Sequence, residues 1–517
     1  MGKKIDSYNI LLFIIIIIQL TLLFYQMDLK TSLSVDEIYT YSLSNSPNRM
    51  MFFPKIYNKT PSLDLQNRWL DNQVFKDYIC VSENNRFNYS NVYDNQIQDT
   101  HPPLYYYLIH TICSFFPNSF SKWYGLSLNL IFFIIVQILL FRISKLILKS
   151  SKYALFVCII YGYSLAAIDN FTYISTNSLI TLFYLLLLNT VLKCFDNKIS
   201  LLRFMELLLI VVLGGLSHYL FLLHSFVLVA TFSFIVLKNR NFKLIAFVLG
   251  TTIFSFIFVY FLFPEMLYQI INSINNQEII LGVVNMIPNI GVFAYFIRKI
   301  LGIPFPYYFY LGALGIIGFF ALVITTFIKN NFEKSYHKYL ILTSVSTLIT
   351  TMVISFGINY NQTEINPLKY FLGFFPIISI LIIAILANLN KRYLILIVVL
   401  LSFSLCTYKT NRFLFIFNKE EVSIEDIVKN KNLVLYFNKK INIQNFIILL
   451  SKCKNVFIYL NDEQNLLKNN IELPIENNFY LLTENNIILD KNCYHKIMLN
   501  SLFPNGIVLY EYEANNK

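Results

Sequence analysis

Apolar runs of about twenty residues recur along this chain, and no other feature restricts its fold so sharply. Tyr8–Met27, Phe242–Phe263 and Tyr370–Leu389 each match the roughly 20 residues a helix needs to cross a hydrocarbon core of about 30 Å. Of the 517 residues 56% are apolar and only 14% charged, and the mean hydropathy is +0.56. A soluble domain of this size could not hide that much apolar surface. The expected class is an α-helical polytopic membrane protein. No small-residue cleavage site follows the first run, which therefore reads as a retained helix rather than a signal peptide.

The formal net charge of +12 suggests nucleic acid at first sight. Its placement argues otherwise, because the cations sit beside helix ends, where they orient a membrane chain. Abundant Lys, Asn, Ile and Phe fit an AT-rich genome. The seven cysteines lack metal-ligand spacing. Cys453 and Cys493 can pair if the tail lies in an oxidising compartment, or remain free thiols.

Eleven spans can be drawn, near residues 8–27, 123–142, 153–168, 178–195, 201–216, 220–237, 243–263, 307–328, 339–358, 370–389 and 393–408. With Lys3 and Lys4 inside, the inner loops and N-terminus hold 17 Lys/Arg against three acids, Asp6, Asp196 and Glu333. The short outer loops 169–177, 216–219 and 359–369 hold one cation, Lys369. That asymmetry is what the positive-inside rule demands. It depends on residues 104–116, whose thirteen residues are too few to cross and read as a re-entrant or interfacial helix.

Three outer segments are long: 28–122, 264–306 and 409–517. The last reads as a small extracytoplasmic α/β domain. Leu433–Phe437 and Val456–Leu460 look like strands flanking a helical stretch at Ile443–Cys453, and Ile507–Tyr512 is a further strand candidate. The expected division is a membrane domain over 1–408 and a soluble domain over 409–517. A bacterial plasma (inner) membrane is the preferred setting, with the tail outside, and an endoplasmic reticulum membrane comes second.

Polar residues unusual for a membrane setting collect on one side of this topology. Asp36 and Glu37 follow the first span; Asp99 and His101 open DTHPPLYYY; Asp169 closes the third span and His218 the fifth; Lys369 opens the tenth. Ionisable groups at a membrane are costly to bury and are functional candidates by default. Asp36-Glu37 is either a solvated acidic turn or a general base for an acceptor hydroxyl. In HPPLYY the prolines favour an extended entry into a helix. They hold His101 at its mouth, with Tyr105 and Tyr106 either an aromatic belt or acceptor support. Lys369, followed by Tyr370, either snorkels to the interface or meets a lipid-linked phosphate at headgroup level. Arg298 and Lys299 in FIRKIL suit a second phosphate contact or anionic lipid. His218, with Tyr219 beside it, can instead cap its span through a carbonyl or water, and Asp169 can simply end its helix.

Taken together, the DE pair after the first helix, D-x-HPPLYY, LSHY and P-L-K-Y-x-x-x-x-x-P resemble the GT-C glycosyltransferases. The nearest branch is that of the dolichyl-phosphate-mannose protein mannosyltransferases and bacterial aminoarabinose transferases. The resemblance covers residues 1 to about 390, and HPPLYY is its most specific element. It implies a GT-C-like membrane domain with interfacial helices, and inverting transfer of a monosaccharide from a polyprenyl-phosphate donor. The acceptor would be a lipid, glycan or protein, as in cell-envelope glycan assembly. By this likeness Asp36 takes the catalytic carboxylate position with Glu37 beside it, and His101 the polar position before the double proline. Lys369 stands where relatives often carry Arg, keeping the charge and losing the bidentate geometry. DNFTYISTN at 169–177 lacks the Glu and Arg of a motif found in many relatives. An Asp near that position is what the aminoarabinose transferases share with this chain.

The residue chemistry agrees with the likeness. A phosphate monoester leaves as a stable anion, so one base and one or two cations suffice, unlike the two carboxylates of glycoside hydrolysis. No cofactor is required, although carboxylates can hold a divalent cation. A lipid-sugar transporter would carry midplane polar residues and inverted repeats. A polyprenyl-linked glycan polymerase or ligase shares the outer-face logic. Membrane lipids are partners in every case; nucleic acid is not.

Overall fold

The computed structural model describes residues 7–30, 33–47, 68–196, 199–276, 334–357, 370–387, 427–438, 446–461, 479–484, 494–497 and 507–512. They fall into two compact units, each built from separate stretches of chain. One comprises Met1–Leu29, Asp99–Tyr105 and Gly125–Ile416; the other comprises Lys30–Gln98, Tyr106–Tyr124 and Phe417–Lys517. This line differs from a cut at residue 408, since most of the first long outer segment clusters with the tail.

The first unit is helical. Its main elements are α1 (Ser7–Leu29), α6 (Lys122–Leu148), α7 (Ser151–Gly162), α8 (Leu165–Thr172), α9 (Thr176–Cys194), α10 (Leu201–Gly215), α11 (Tyr219–Leu237), α12 (Phe242–Leu262), α13 (Glu265–Asn276), α14 (Lys334–Gly357) and α15 (Phe375–Leu386). Among the described residues, α1, α6, α9, α11 and α12 are long and apolar enough to cross a membrane, and the bent pair α7–α8 makes a sixth candidate. The expected spans at 307–328 and 393–408 lie outside the described residues. Large apolar side chains stay exposed along α1 and α12, among them Phe13, Phe24, Phe254 and Phe261, as in helices that face lipid. The protein is a membrane protein.

Side-chain caps set where these helices begin. Ser150, Ser164, Ser175, Ser200 and Asn241 each accept a hydrogen bond from a backbone N–H in the first turn of α7, α8, α9, α10 and α12 respectively, satisfying donors that would otherwise be orphaned. Ser164 has a consequence for topology. The third expected span breaks there, and α7 and α8 meet at 59°. The break tolerates close packing, since α1 lays Gln19 against Gly162 where any Cβ would overlap its amide, and Gln19 Nε2 donates to the Cys158 carbonyl at 3.0 Å.

The second unit mixes helices with one sheet. It holds α2 (Val35–Asn45), α3 (Gln73–Ile79), α4 (Tyr89–Ile97), most of α5 (Leu104–Ser114) and α16 (Ile447–Lys452). Strands β1 (Trp69–Asp71), β2 (Leu433–Asn438), β3 (Asn455–Asn461), β4 (Phe479–Glu484), β5 (Tyr494–Ile497) and β6 (Ile507–Tyr512) form one sheet in the order β1-β3-β2-β4-β6-β5. The central strand β2 runs parallel to both β3 and β4, and the remaining pairs are antiparallel. Val434, Tyr436, Phe479, Leu481 and Tyr510 bury one face. β1 comes from the first outer segment and pairs Trp69 with Phe457 and Leu70 with Val456, while Asn72 Nδ2 donates to the Cys453 carbonyl at 2.6 Å. A hydrogen-bonded sheet cannot be divided by a bilayer, so residues 69–71 and the tail share one side of the membrane. Cys453 is a buried free thiol; Cys493 lies outside the described residues.

Candidate active site

In the second unit, the sequence Ser34-Val35-Asp36-Glu37 starts α2 as a reciprocal capping box. Ser34 Oγ accepts from the Glu37 N–H at 3.4 Å, and Glu37 Oε2 accepts from the Ser34 N–H at 2.9 Å. Successive helical residues point about 100° apart, so the acidic pair is split. Glu37 is fully buried, and its other oxygen, Oε1, lies 2.8 Å from Lys30 Nζ, itself fully buried. Asp36 is exposed in the first turn, where the positive end of the helix favours a carboxylate. The Lys122 ammonium donates to the Lys30 carbonyl, and the buried Tyr41 hydroxyl donates to the Ser121 carbonyl at 2.9 Å. The chain on either side of the start of α2 is thereby tied to Ser121 and Lys122 at two points. The arrangement presents one carboxylate outward on a base fixed by the other.

The first unit holds a histidine pair. His101 Nδ1 lies 2.8 Å from Oδ2 of Asp99, which is buried. His218 caps α11 with its own ring, Nδ1 accepting from the Leu220 N–H at 3.1 Å. The rings meet edge to face with centroids 5.8 Å apart. His101 is thus held through Nδ1 by the Asp99 carboxylate and His218 through Nδ1 by its own helix, so each ring is fixed by a different partner. The pair therefore places two imidazoles side by side. The two loops are stitched where the chain enters α5, the Leu104 N–H donating to the Leu216 carbonyl at 2.9 Å.

Asn129 of α6 supports this end of the helices. Its Nδ2 donates to the Phe171 and Tyr173 carbonyls at 3.0 and 2.9 Å. Its Oδ1 accepts from Tyr105 at 3.3 Å and from Ser178 at 2.6 Å. The Tyr219 hydroxyl donates to Gln269 Oε1. Asp169 is half-buried and lies within α8, past the break at Ser164. Tyr106 is buried, and Tyr370 is half-buried just ahead of a short 3-10 turn. Lys369, Arg298 and Lys299 lie outside the described residues. Among the described residues, no three His, Cys, Asp or Glu side chains group to hold a metal ion.

The structure thus brings together Asp99, His101 and His218 and separates Asp36 from Glu37 in role. Reading by motif passed over Lys30, Ser34 and Asn129. The S-x-x-E spacing of Ser34 and Glu37 is itself a helix-start signature and was open to view. Nothing local marks Lys30 as the partner of Glu37, because a lysine just past a span has a snorkelling role available.

No protein-family model matches the sequence, and no curated protein matches it by sequence. Solved structures do. ArnT from Cupriavidus metallidurans bound to undecaprenyl phosphate aligns over 99% of this chain and 99% of its own, with a TM-score of 0.52 at 9% identity. The apo form of the same protein aligns over 98% of each chain, again at 0.52 and 9%. The chain has the ArnT fold. At such low identity the likeness to ArnT resides in architecture. It is the architecture that the DE, HPPLYY and LSHY motifs imply, and it extends past residue 390, where no motif had reached.

Proposed function

We propose that this protein is a membrane glycosyltransferase. It moves a hexose or pentose from a polyprenyl-phosphate donor to a lipid, glycan or protein acceptor on the extracytoplasmic face of a bacterial inner membrane. The observation that carries the proposal is the ArnT fold over 99% of both chains, in a protein solved with undecaprenyl phosphate bound. The exposed carboxylate at the start of α2 supports it further.

In the proposed reaction the acceptor oxygen attacks the anomeric carbon from the face opposite the phosphate. The carbon–oxygen bond to phosphate breaks with inversion, and the polyprenyl phosphate departs with the bonding pair. Asp36 takes the acceptor proton. An ordinary aspartate, with a pKa near 4, is a weak base for an alcohol, so proton transfer lags behind departure of the leaving group. Glu37 and Lys30 hold the turn that presents Asp36. His101 and Lys369, with Tyr370, meet the donor phosphate; Arg298 and Lys299 provide a second cationic contact. Tyr105, Tyr106, Asp169, His218 and Tyr219 shape the acceptor side. The leaving group is already a stable anion, so these roles need no metal; a carboxylate-held divalent cation would assist the same departure.

Reconstituted vesicles given a labelled polyprenyl-monophosphate sugar test this reading. Release of polyprenyl phosphate with sugar transfer is expected. Asp36→Asn preserves shape and removes basicity, so its turnover should fall by about 10²–10⁴-fold while donor binding persists. Full turnover in Asp36→Asn would remove Asp36 from the chemistry. Use of diphosphate-linked oligosaccharide alone would make the protein a polymerase or ligase, and passage of the lipid-sugar without transfer would make it a transporter.

A further inference from the structure

A chain of ring contacts runs through the interior of the first unit. Phe221 of α11 lies nearly parallel to Tyr184 of α9, with centroids 6.0 Å apart and planes at 17°. Tyr184 is stacked in turn on Phe374 at 4.4 Å and 25°. His224 meets Tyr184 and Phe374 edge-on, at 4.8 and 5.1 Å. All four rings are buried.

Each end of the chain rests on a glycine. Phe221 lies over Gly214 of α10, where any Cβ would overlap its ring. A Cβ at Gly373 would lie 2.9 and 3.1 Å from two carbons of the Tyr184 ring, against about 3.5–4.0 Å for carbons in ordinary contact. Backbone thus presses on a ring at both ends. In an interior packed this closely, a displacement at one end is transmitted rather than absorbed.

The two ends are also the turns beside site residues. The Gly214 carbonyl accepts from the Ser217 and His218 N–H groups at 3.1 and 3.2 Å, closing the turn that leads into α11. Gly373 and Phe374 belong to the 3-10 turn Leu372–Phe374, which begins two residues after Tyr370.

We infer that Phe221, Tyr184 and Phe374 form a strut that fixes the spacing between the His218 turn and the Tyr370 turn. Tyr184, at its centre, is a positioning residue for the transfer. That role rests on the proposed function, in which Tyr370 meets the donor while His218 and Tyr219 shape the acceptor side. The Tyr184 hydroxyl is buried with no hydrogen-bond partner among the described residues, so the ring carries the role and the hydroxyl does not.

Two measurements on the full chain in nanodiscs test the strut and its role separately. For the first, p-acetylphenylalanine in place of Tyr219 and of Tyr370 carries spin labels without involving the native cysteines. The label-to-label distance distribution should keep its width in Tyr184→Phe and about double it in Tyr184→Ala. Phe232→Ala removes another buried ring nearer the other end of α11, where it meets Phe195 at 4.7 Å, and should leave the distribution as it is. For the second, the unlabelled chain is assayed for turnover and for binding of polyprenyl phosphate. Tyr184→Ala and Gly373→Ala should lose about 10²-fold in kcat, as a misplacement of about 1 Å can cost, with binding retained and Tyr184→Phe restoring turnover. An unchanged distribution in Tyr184→Ala, or equal broadening in Phe232→Ala, overturns the strut. Full turnover in Tyr184→Ala, or loss of binding in step with turnover, overturns the positioning role. A parent that transfers no sugar would instead overturn the proposed function, and the distances would still decide whether the strut exists.

Discussion

Replacing Glu37 by glutamine would take the carboxylate from beside a fully buried Lys30 ammonium. Both side chains are fully buried and 2.8 Å apart, so neither charge has solvent to fall back on. Removing one member of such a pair costs about 3–5 kcal/mol, because the survivor keeps its desolvation penalty and loses the opposite charge beside it. Glutamine still serves in a capping box, so Glu37→Gln isolates the ion pair from the cap. Lys30→Met should cost a similar amount from the other side. The double variant Lys30→Met/Glu37→Met removes both charges, and a buried pair replaced by apolar side chains is often neutral or stabilising by about 1–4 kcal/mol. The assay comes from the same unit. Burial pushes the Cys80, Cys113 and Cys453 thiols up to about 12, so they stay unreactive until the unit opens, and a thiol-reactive dye reports opening on heating. With about 2–4 °C per kcal/mol for units of 150–250 residues, each single variant should lower the transition by about 6–20 °C. The double variant should return most of that. Single variants within a degree or two of the parent, or a double variant as low as the sum of the singles, would refute the reasoning.

Three further outcomes are expected. Asp99→Asn takes the carboxylate from His101 Nδ1 and, by the loss of a charge-assisted bond worth about 1.5–3 kcal/mol, should weaken donor use by about 10- to 150-fold. Asn at this position with an unchanged donor KM would make the Asp99–His101 contact purely structural. Lys369→Ala should lose donor use to a similar extent, roughly 10- to 150-fold, and Lys369→Arg should keep much of it; an alanine variant with unaltered donor dependence returns Lys369 to snorkelling. Reporter fusions at Asn95 and Lys517 should both mark the outer compartment, opposite the N-terminus, and opposite readings at the two sites would break the topology.

Local signals carried a good deal of this. The membrane class was legible because a bilayer imposes its thickness on every run that crosses it, and α1, α6, α9, α11 and α12 lie where such runs stand. The short helix at 104–114 was legible for the same reason, being too brief to cross. Ser34 with Glu37 spelt out the start of α2, since a cap is written within four residues. The motifs also pointed to an architecture that the solved ArnT structures share. Tertiary structure decided the rest. The DE pair reads as one feature until packing assigns Glu37 to Lys30 and leaves Asp36 exposed; helical geometry says only that the two diverge, and the surroundings say which one is inside. His101 and His218 meet across a long stretch of sequence, as do Trp69 and Phe457 in the sheet. Such contacts follow from closing long loops around a shared core and leave no periodic trace in the chain. The break between α7 and α8 has the same origin. A run of apolar residues tells that a helix seeks lipid or core, and only its neighbours determine which.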